Sequence, residues 1–329
     1  MASVDGISIV VPTIGRPTLT DLLDRLRPQL LDPPVPVELL VVRDVDRRGP
    51  AATRNRGWRE ARYEWVAFLD DDVLPPPDWL AALARDLRAP ADVGGVQGRL
   101  VVPVRERTDW AACTAGLERA WWATADMAYR RTALARAGGF DERFPRAYRE
   151  DADLAYRVTR LGYRLVLGER RTTHPVRAES PWVSLRGQRG NADDALLRRL
   201  WGPQWHDLLA APRGRRRRHA GTVALALAGL GLAALGRRRA ATVAALGWAA
   251  ATAEFTAARL RAAPGARREL VPLVVTGVLI PPLAIGNWLA GWYRHRGARP
   301  WSAALCVCPD PIQSRVVEED EWMPSNPRR

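Results

Sequence analysis

Residues 66–80 read VAFLDDDVLPPPDWL, and the run from Trp65 through Asp72 decides the fold class. Trp65–Leu69 is a short apolar segment of strand length, and the prolines at 75, 76 and 77 exclude its continuation as a central strand. Asp70, Asp71 and Asp72 therefore stand at the C-terminal edge of a buried strand. In open α/β sheets that edge is where ligands bind. Three adjacent carboxylates repel one another unless a cation lies among them, and hard ions such as Mg²⁺ or Mn²⁺ take carboxylate oxygens together with substrate phosphates. An acidic turn without a ligand is the plain alternative for this tripeptide taken alone.

Outward from it, strand-like and helix-like segments alternate. Upstream, Ile7–Val11 is a buried strand closed by Pro12, and Val37–Val42 is a second strand. Leu19, Leu22, Leu23, Leu26 and Leu30 put one apolar face on a helix over 18–30. Pro50 suits the first turn of a helix reaching about Arg62. Downstream, the pattern predicts a helix over 77–87, a strand over 94–102, a Trp-rich stretch over 110–122 and a short strand over 127–129. A helix over 132–137 stops at Gly138 and Gly139, a helix spans 150–161, and the last strand covers 163–167. Such alternation yields an α/β fold, a mostly parallel sheet flanked by helices.

The chain has 329 residues, 47% hydrophobic, with 14 Trp, which excludes a disordered protein. A formal net charge of +14 invites a nucleic-acid reading, but every one of the 50 basic residues is Arg and their distribution is uneven. Residues 1–212 hold 32 Arg against 29 acids, residues 213–299 hold 15 against 2, and residues 300–329 hold 3 against 5. The excess lies between apolar segments rather than on a polar face with interleaved aromatics, so no nucleic-acid partner is expected. Cys113, Cys306 and Cys308 form neither a disulfide framework nor a zinc set, which points to a reducing compartment. No basic n-region followed by a long apolar core opens the chain, so export by a cleavable signal is not expected.

Composition changes after Ala220. Ala220–Gly236 has no charge, Ala240–Ala258 has only Glu254, and Leu270–Tyr293 is 24 uncharged residues. The third is long enough to cross a hydrocarbon core, which needs about 20 residues. Arg clusters border all three, so a simple serpentine of crossings conflicts with the confinement of positive loops to one side. The expected organisation is a catalytic-type domain over 1–212, Arg-flanked, membrane-associated helices over 213–299 and an acidic tail over 300–329.

A second acidic cluster, Glu150, Asp151 and Asp153 in YREDADLAYRV, stands at a helix start, where acids also simply complement the helix dipole. Its surroundings carry more. The strings ISIVVPTIGRP, LLVVRD, GPAATRNRG, VAFLDDDVLPPPDWL and AGGFDERFPRAYREDADLAYRVTRLGYRL occur in that order. Together they resemble the family 2 inverting glycosyltransferases of the GT-A fold, over roughly residues 5 to 178.

The resemblance implies a role for each matching position. Pro12, Thr13 and Arg16 belong to the loop lining the nucleotide site. Asp44 is the acid that contacts base or ribose, with Arg43 standing where the family often has another acid. Arg54 and Asn55 match an Ala-Arg-Asn element in which Thr53 replaces the small residue. Asp70 and Asp72 form the D-x-D pair beside the nucleotide sugar, with Asp71 between them and Asp72 as direct metal ligand. Asp151, beside Glu150, is the general base; Gly139 and Asp141 border the acceptor, and Asp126 faces it. His174 sits where the family often places a His beside metal or diphosphate. Trp110, Trp121 and Trp122 are candidates to stack on a sugar.

The implied activity is transfer of a sugar from a nucleotide-diphosphate sugar to an acceptor hydroxyl with inversion, dependent on Mn²⁺ or Mg²⁺. The acceptor is a lipid-linked or free saccharide, and the setting is cell-envelope polysaccharide or glycolipid synthesis on the cytoplasmic side of the membrane. A non-catalytic membrane or assembly protein retaining a nucleotide-sugar fold is the competing class.

Overall fold

The structure, a computed structural model, describes residues 4–262 and 269–299. The expected tail over 300–329, with Cys306 and Cys308, lies outside them. Six strands, β1 (Ile7–Thr13), β2 (Val37–Arg43), β3 (Trp65–Leu69), β4 (Val93–Val101), β5 (Asp126–Arg130) and β6 (Arg164–Thr173), form one sheet in the order β2-β1-β3-β5-β4-β6. β1 pairs in parallel with β2 and β3, β4 pairs in parallel with β6, and β5 runs antiparallel between β3 and β4. The architecture is thus α/β with a mostly parallel sheet.

Alternation along the strands splits the apolar residues between two faces. Ile7, Ile9 and Val11 of β1, with Trp65, Ala67 and Leu69 of β3, meet Leu22 and Leu26 of α1 (Thr18–Leu31) and Leu80 and Leu83 of α3 (Trp79–Asp86). Val10, Val66 and Phe68 face the other way. They pack with residues of α2 (Pro50–Glu60), α5 (Arg131–Ala137), α6 (Glu150–Arg160) and α8 (Asn191–Trp201). Pro50 opens α2 as its position suggests, and α5 stops at Gly138, which takes the left-handed conformation (φ 79°) that favours glycine. Short helices α4 (Asp109–Ala115), α7 (Val183–Gly187) and α9 (Trp205–Leu208) complete this part.

Two strand ends differ from expectation. β1 continues through Pro12 to Thr13. β6 runs to Thr173, six residues past the predicted end, because Arg170 and Thr172 are buried there against Asp126. An ion-paired interior leaves no apolar alternation for sequence reading to detect.

Each of the three C-terminal apolar stretches is a helix: α10 (Arg216–Ala234), α11 (Arg238–Ala262) and α12 (Leu270–Arg294). α10 and α11 form a hairpin turning at Gly236 (φ 71°), with Gly229 against Ala244 and Gly247 against Leu225. Among the described residues, α12 alone is long and apolar enough to cross a bilayer, with a mean hydropathy of 1.8. Leu227, Leu230, Val243 and Leu246 of the hairpin and Val271, Val274 and Leu289 of α12 are exposed.

The boundary expected at 212 falls between α9 and α10, yet the helices beyond it pack back onto the sheet domain. Arg259 of α11 pairs with Asp109 at 2.7 Å and bonds the Ser184 hydroxyl at 3.1 Å. Gly291 of α12 abuts α8, where a Cβ would lie 2.5 Å from the Ala192 backbone. Gly291→Ala must therefore push α12 off α8, and overpacking of this kind costs about 1–3 kcal/mol. Gly286, with open space around it, should accept Ala without loss. Thermal unfolding of the detergent-solubilised chain checks this pair: equal transitions for the two variants would refute the packing.

Candidate active site

The site is built where the C-terminal edges of β1 and β3 meet the N-terminus of α6. Arg54, on the buried face of α2, joins the two acidic clusters. Its guanidinium donates to Glu150 Oε1 at 2.8 Å and to Asp70 Oδ1 at 2.7 Å, while only 2% exposed. Burial alone would lower its pKa, but the flanking Asp70 and Glu150 carboxylates reverse that and raise it. Arg54 is a permanent cation in the floor of the site.

Arg149, immediately before α6, has φ 76°, a left-handed backbone rare for a side-chain-bearing residue. Strain of this kind costs on the order of 1–3 kcal/mol and gathers at functional sites. The two acids it introduces differ. Glu150 is buried under Arg54, its Oε2 has no hydrogen-bond partner among the described residues, and burial with Asp151 beside it pushes its pKa up against the pull of Arg54. Asp151 keeps part of its surface open although protein surrounds it densely. Its Oδ1 accepts the Ala152 N–H at 2.7 Å. Burial raises its pKa, opposed by that N–H, Arg54 and Arg149, with Asp70 close enough to add to the rise. Asp153, fully buried, pairs with Arg157 and accepts from Trp201 Nε1, fastening α6 to α8.

The three acids after β3 also diverge. Asp71, buried, accepts from the Thr13 hydroxyl at 2.6 Å and from Arg16 at 2.8 Å, and the Thr13 hydroxyl in turn accepts the Gly15 N–H. It clamps the loop after β1. Asp72 turns towards the end of β6, because Leu74 and Thr173 exchange backbone hydrogen bonds. There its carboxylate lies 3.6 Å from His174 Nε2 and 3.2 Å from Arg177 Nε. Burial and the neighbouring Asp70 raise the Asp72 pKa despite those two groups.

A hard divalent cation fits this end of the site. Asp70 and Asp72 supply crowded anionic oxygens, and His174 Nδ1 is buried without a partner. Among the described residues no three His, Cys, Asp or Glu side chains converge as a closed cage. Ions such as Mg²⁺ are held through one or two carboxylates and substrate phosphates.

Several other predicted site residues are engaged within the protein. Asp44, half-buried, accepts the Arg48 and Gly49 N–H groups at 2.9 Å each and shapes the turn into α2. Pro12 is buried in β1. Asn55 is bonded to both the N–H and the carbonyl of Phe140, and its Oδ1 lies 2.5 Å from where a Gly139 Cβ would be, so Asn55 and Gly139 (φ 72°) interlock. Asp141 forms a bidentate pair with Arg143. Asp126 is fully buried and accepts from Trp79 Nε1, Arg170 Nε and Thr172 Oγ1, so it does not face an acceptor as the resemblance implied. Trp122 is buried in the core, Trp121 packs beside it, and Trp110 Nε1 donates to the Arg177 carbonyl.

Sequence reading missed Arg177 as a partner of Asp72 and the strained Arg149. Position alone does not announce either, although a buried Asp72 requires a nearby cation, and Arg177 lies only three residues after His174.

Residues 41–157 match the family model described as Glycosyl transferase family 2. Over 134 residues the chain is 33% identical to the pre-mycofactocin glycosyltransferases of two Mycobacterium tuberculosis strains, CDC 1551 and H37Rv. The match takes in 36% of this chain and 28% of theirs, so the likeness spans under a third of those relatives. Among solved structures, a mannosyltransferase from Pyrobaculum calidifontis in complex with GDP-Man and Mn²⁺ aligns with TM-score 0.49 and 19% identity, over 88% of this chain and 87% of that one. GalNAc-T7 with UDP, GalNAc and Mn²⁺ aligns with TM-score 0.46 and 14% identity, over 66% of this chain and 51% of that one.

Removing one partner of a buried ion pair costs about 3–5 kcal/mol. Arg54→Ala should therefore lower the unfolding midpoint. Arg54→Lys, with one ammonium for two carboxylates, should recover only part of that loss. A Lys variant as stable as wild type in thermal unfolding would show that the two-carboxylate bridge is dispensable.

Proposed function

We propose that the chain is an inverting, divalent-metal-dependent glycosyltransferase that uses a nucleotide-diphosphate sugar. The observation that carries this reading is the Arg54 bridge: it draws Asp70 and Glu150, 80 residues apart in sequence, into one floor and leaves Asp151 partly open beside them. The family-model match over residues 41–157 and the naming of the mycobacterial relatives as glycosyltransferases support the reaction class.

In the proposed reaction the acceptor hydroxyl lies against Asp151 Oδ2, the oxygen not bonded to the Ala152 N–H. Its oxygen forms a bond to the anomeric carbon from the face opposite the diphosphate. The bond from that carbon to the phosphate oxygen breaks with its electron pair, releasing a nucleoside diphosphate, and the hydroxyl proton passes to Asp151. One displacement inverts the anomeric centre. Asp72, with Asp70, would hold a divalent ion together with the donor phosphates, with His174 beside Asp72, and the ion would neutralise charge developing on the diphosphate. Arg16, held by Asp71, adds a cation at the mouth of the loop after β1. The apolar length of α12, together with the flanking arginines, supports placement at a membrane; with that placement goes our proposal of a site on the cytoplasmic side and a lipid-linked or saccharide acceptor of the cell envelope.

General base catalysis is typically worth 10²- to 10⁴-fold. Asp151→Asn should cut turnover at least about 10²-fold and leave donor affinity nearly unchanged. A dead Asp153→Asn beside an active Asp151→Asn would move the base elsewhere.

A base works deprotonated, so a raised Asp151 pKa shifts the acid limb of the rate profile upward. The limb of kcat/KM should lie above the ordinary carboxylate range, near 4. Turnover should fall as pH drops through it, and the limb should vanish in Asp151→Asn. A flat profile down to pH 4 would refute the assignment.

The activity itself is tested by nucleoside diphosphate release from UDP-, GDP- and dTDP-sugars with Mn²⁺ or Mg²⁺. Release should stop reversibly on chelation and be lost in Asp72→Ala, which should also bind donor more weakly. Undiminished release in EDTA would remove the metal from the mechanism.

A further inference from the structure

A second concavity lies away from the sheet edge, between the base of α10 and the C-terminal half of α11. It has a volume of about 400 Å³. Arg215, Arg218 and His219 stand at one end, with Glu254 across from them. Leu225, Ala251 and Phe255 form an apolar wall.

The polar end is incompletely satisfied. Among the described residues, Glu254 is the only acid facing the two arginines; Arg215 pairs with it closely and Arg218 reaches it at 3.5 Å. Arg215 Nε–H is shut off from solvent and has no acceptor among the described residues. The rest of the lining adds no negative charge, and Arg259 stacks over the same Phe255 ring that Arg215 covers. Both arginines thus have donors to spare for an anion larger than one carboxylate.

A free anion would use only that end. The apolar wall suits a chain attached to the anion, and guanidinium donors match phosphate oxygens. From this pairing of a cationic end with an apolar wall, we infer that the α10–α11 groove is a binding site for the phosphate headgroup of an anionic membrane lipid. The acyl chain then lies along Leu225 and Ala251. This deepens the membrane placement proposed above, and it is independent of the transfer chemistry, because its test reads lipid binding and not turnover.

The full chain, purified in neutral detergent, is titrated with dioleoylphosphatidylglycerol, dioleoylphosphatidylcholine and inorganic phosphate, and retained lipid is measured by native mass spectrometry. Phosphatidylglycerol should bind at least tenfold more tightly than phosphatidylcholine, and inorganic phosphate should displace it only at a large molar excess. Arg215→Gln/Arg218→Gln should reduce that preference to under threefold. Gly221→Leu should do the same without changing charge, since open space at Gly221 borders the groove and the side chain would fill it. Arg237→Gln/Arg238→Gln, the same charge removed at the hairpin's far end, should keep the preference.

Equal losses in the two double-arginine variants would mean diffuse attraction and overturn the site. So would an unaffected Gly221→Leu. Displacement by equimolar inorganic phosphate would make the ligand a free anion and overturn the lipid assignment. Donor release by wild type with no lipid preference would sink this inference while leaving the glycosyltransferase reading intact.

Discussion

The buried guanidinium of Arg54 is the constraint on which the site depends. Without it, Asp70, Glu150 and Asp151 would place three carboxylates in one poorly solvated space, and like charges at such separations cannot all stay ionised. With it, Asp70 and Glu150 are held at 2.7 and 2.8 Å on one side chain, and α6 is pinned against the end of β3. The strained turn at Arg149 is tolerable because this bridge and the Asp153 contacts to Arg157 and Trp201 fix α6 on both sides.

Around that bridge the acids divide their work according to what surrounds them. Asp71, Asp44 and Asp141 are saturated by neighbouring hydroxyl, amide and guanidinium groups, and they set loop shape. Asp72 and Asp151 are crowded but less well compensated, which is why burial raises both. Groups of that second kind have interaction capacity left for a ligand. The neighbours of each acid, rather than its place in a motif, separate the two kinds.

The C-terminal helices are integrated with this scaffold. Arg259 binds Asp109 and Ser184, and the Gly291 backbone lies directly on α8. Their outward faces remain apolar and their ends basic, a combination suited to a bilayer with anionic headgroups. Because α8 packs on α6 through Trp201, attachment of these helices bears on the part of the protein that carries Asp151.

How much was legible follows from the range of the forces involved. The strand-like run of Trp65–Leu69, the start of α2 at Pro50 and the stop of α5 at Gly138 depend on residues adjacent in sequence, and they were readable there. So were the two acidic clusters and the three apolar stretches, whose patterns are local. The polar half of β6 was not, because Arg170 and Thr172 are buried by a partner, Asp126, more than forty residues away. Nor could sequence tell which aspartates are spent internally, since that depends on donors such as Thr13, Arg16 and Arg143 arriving through the fold. Residue order determined which groups were available and where elements form; only tertiary contact decided which charges are neutralised and which are left open, because electrostatic compensation depends on distances that chain spacing does not encode.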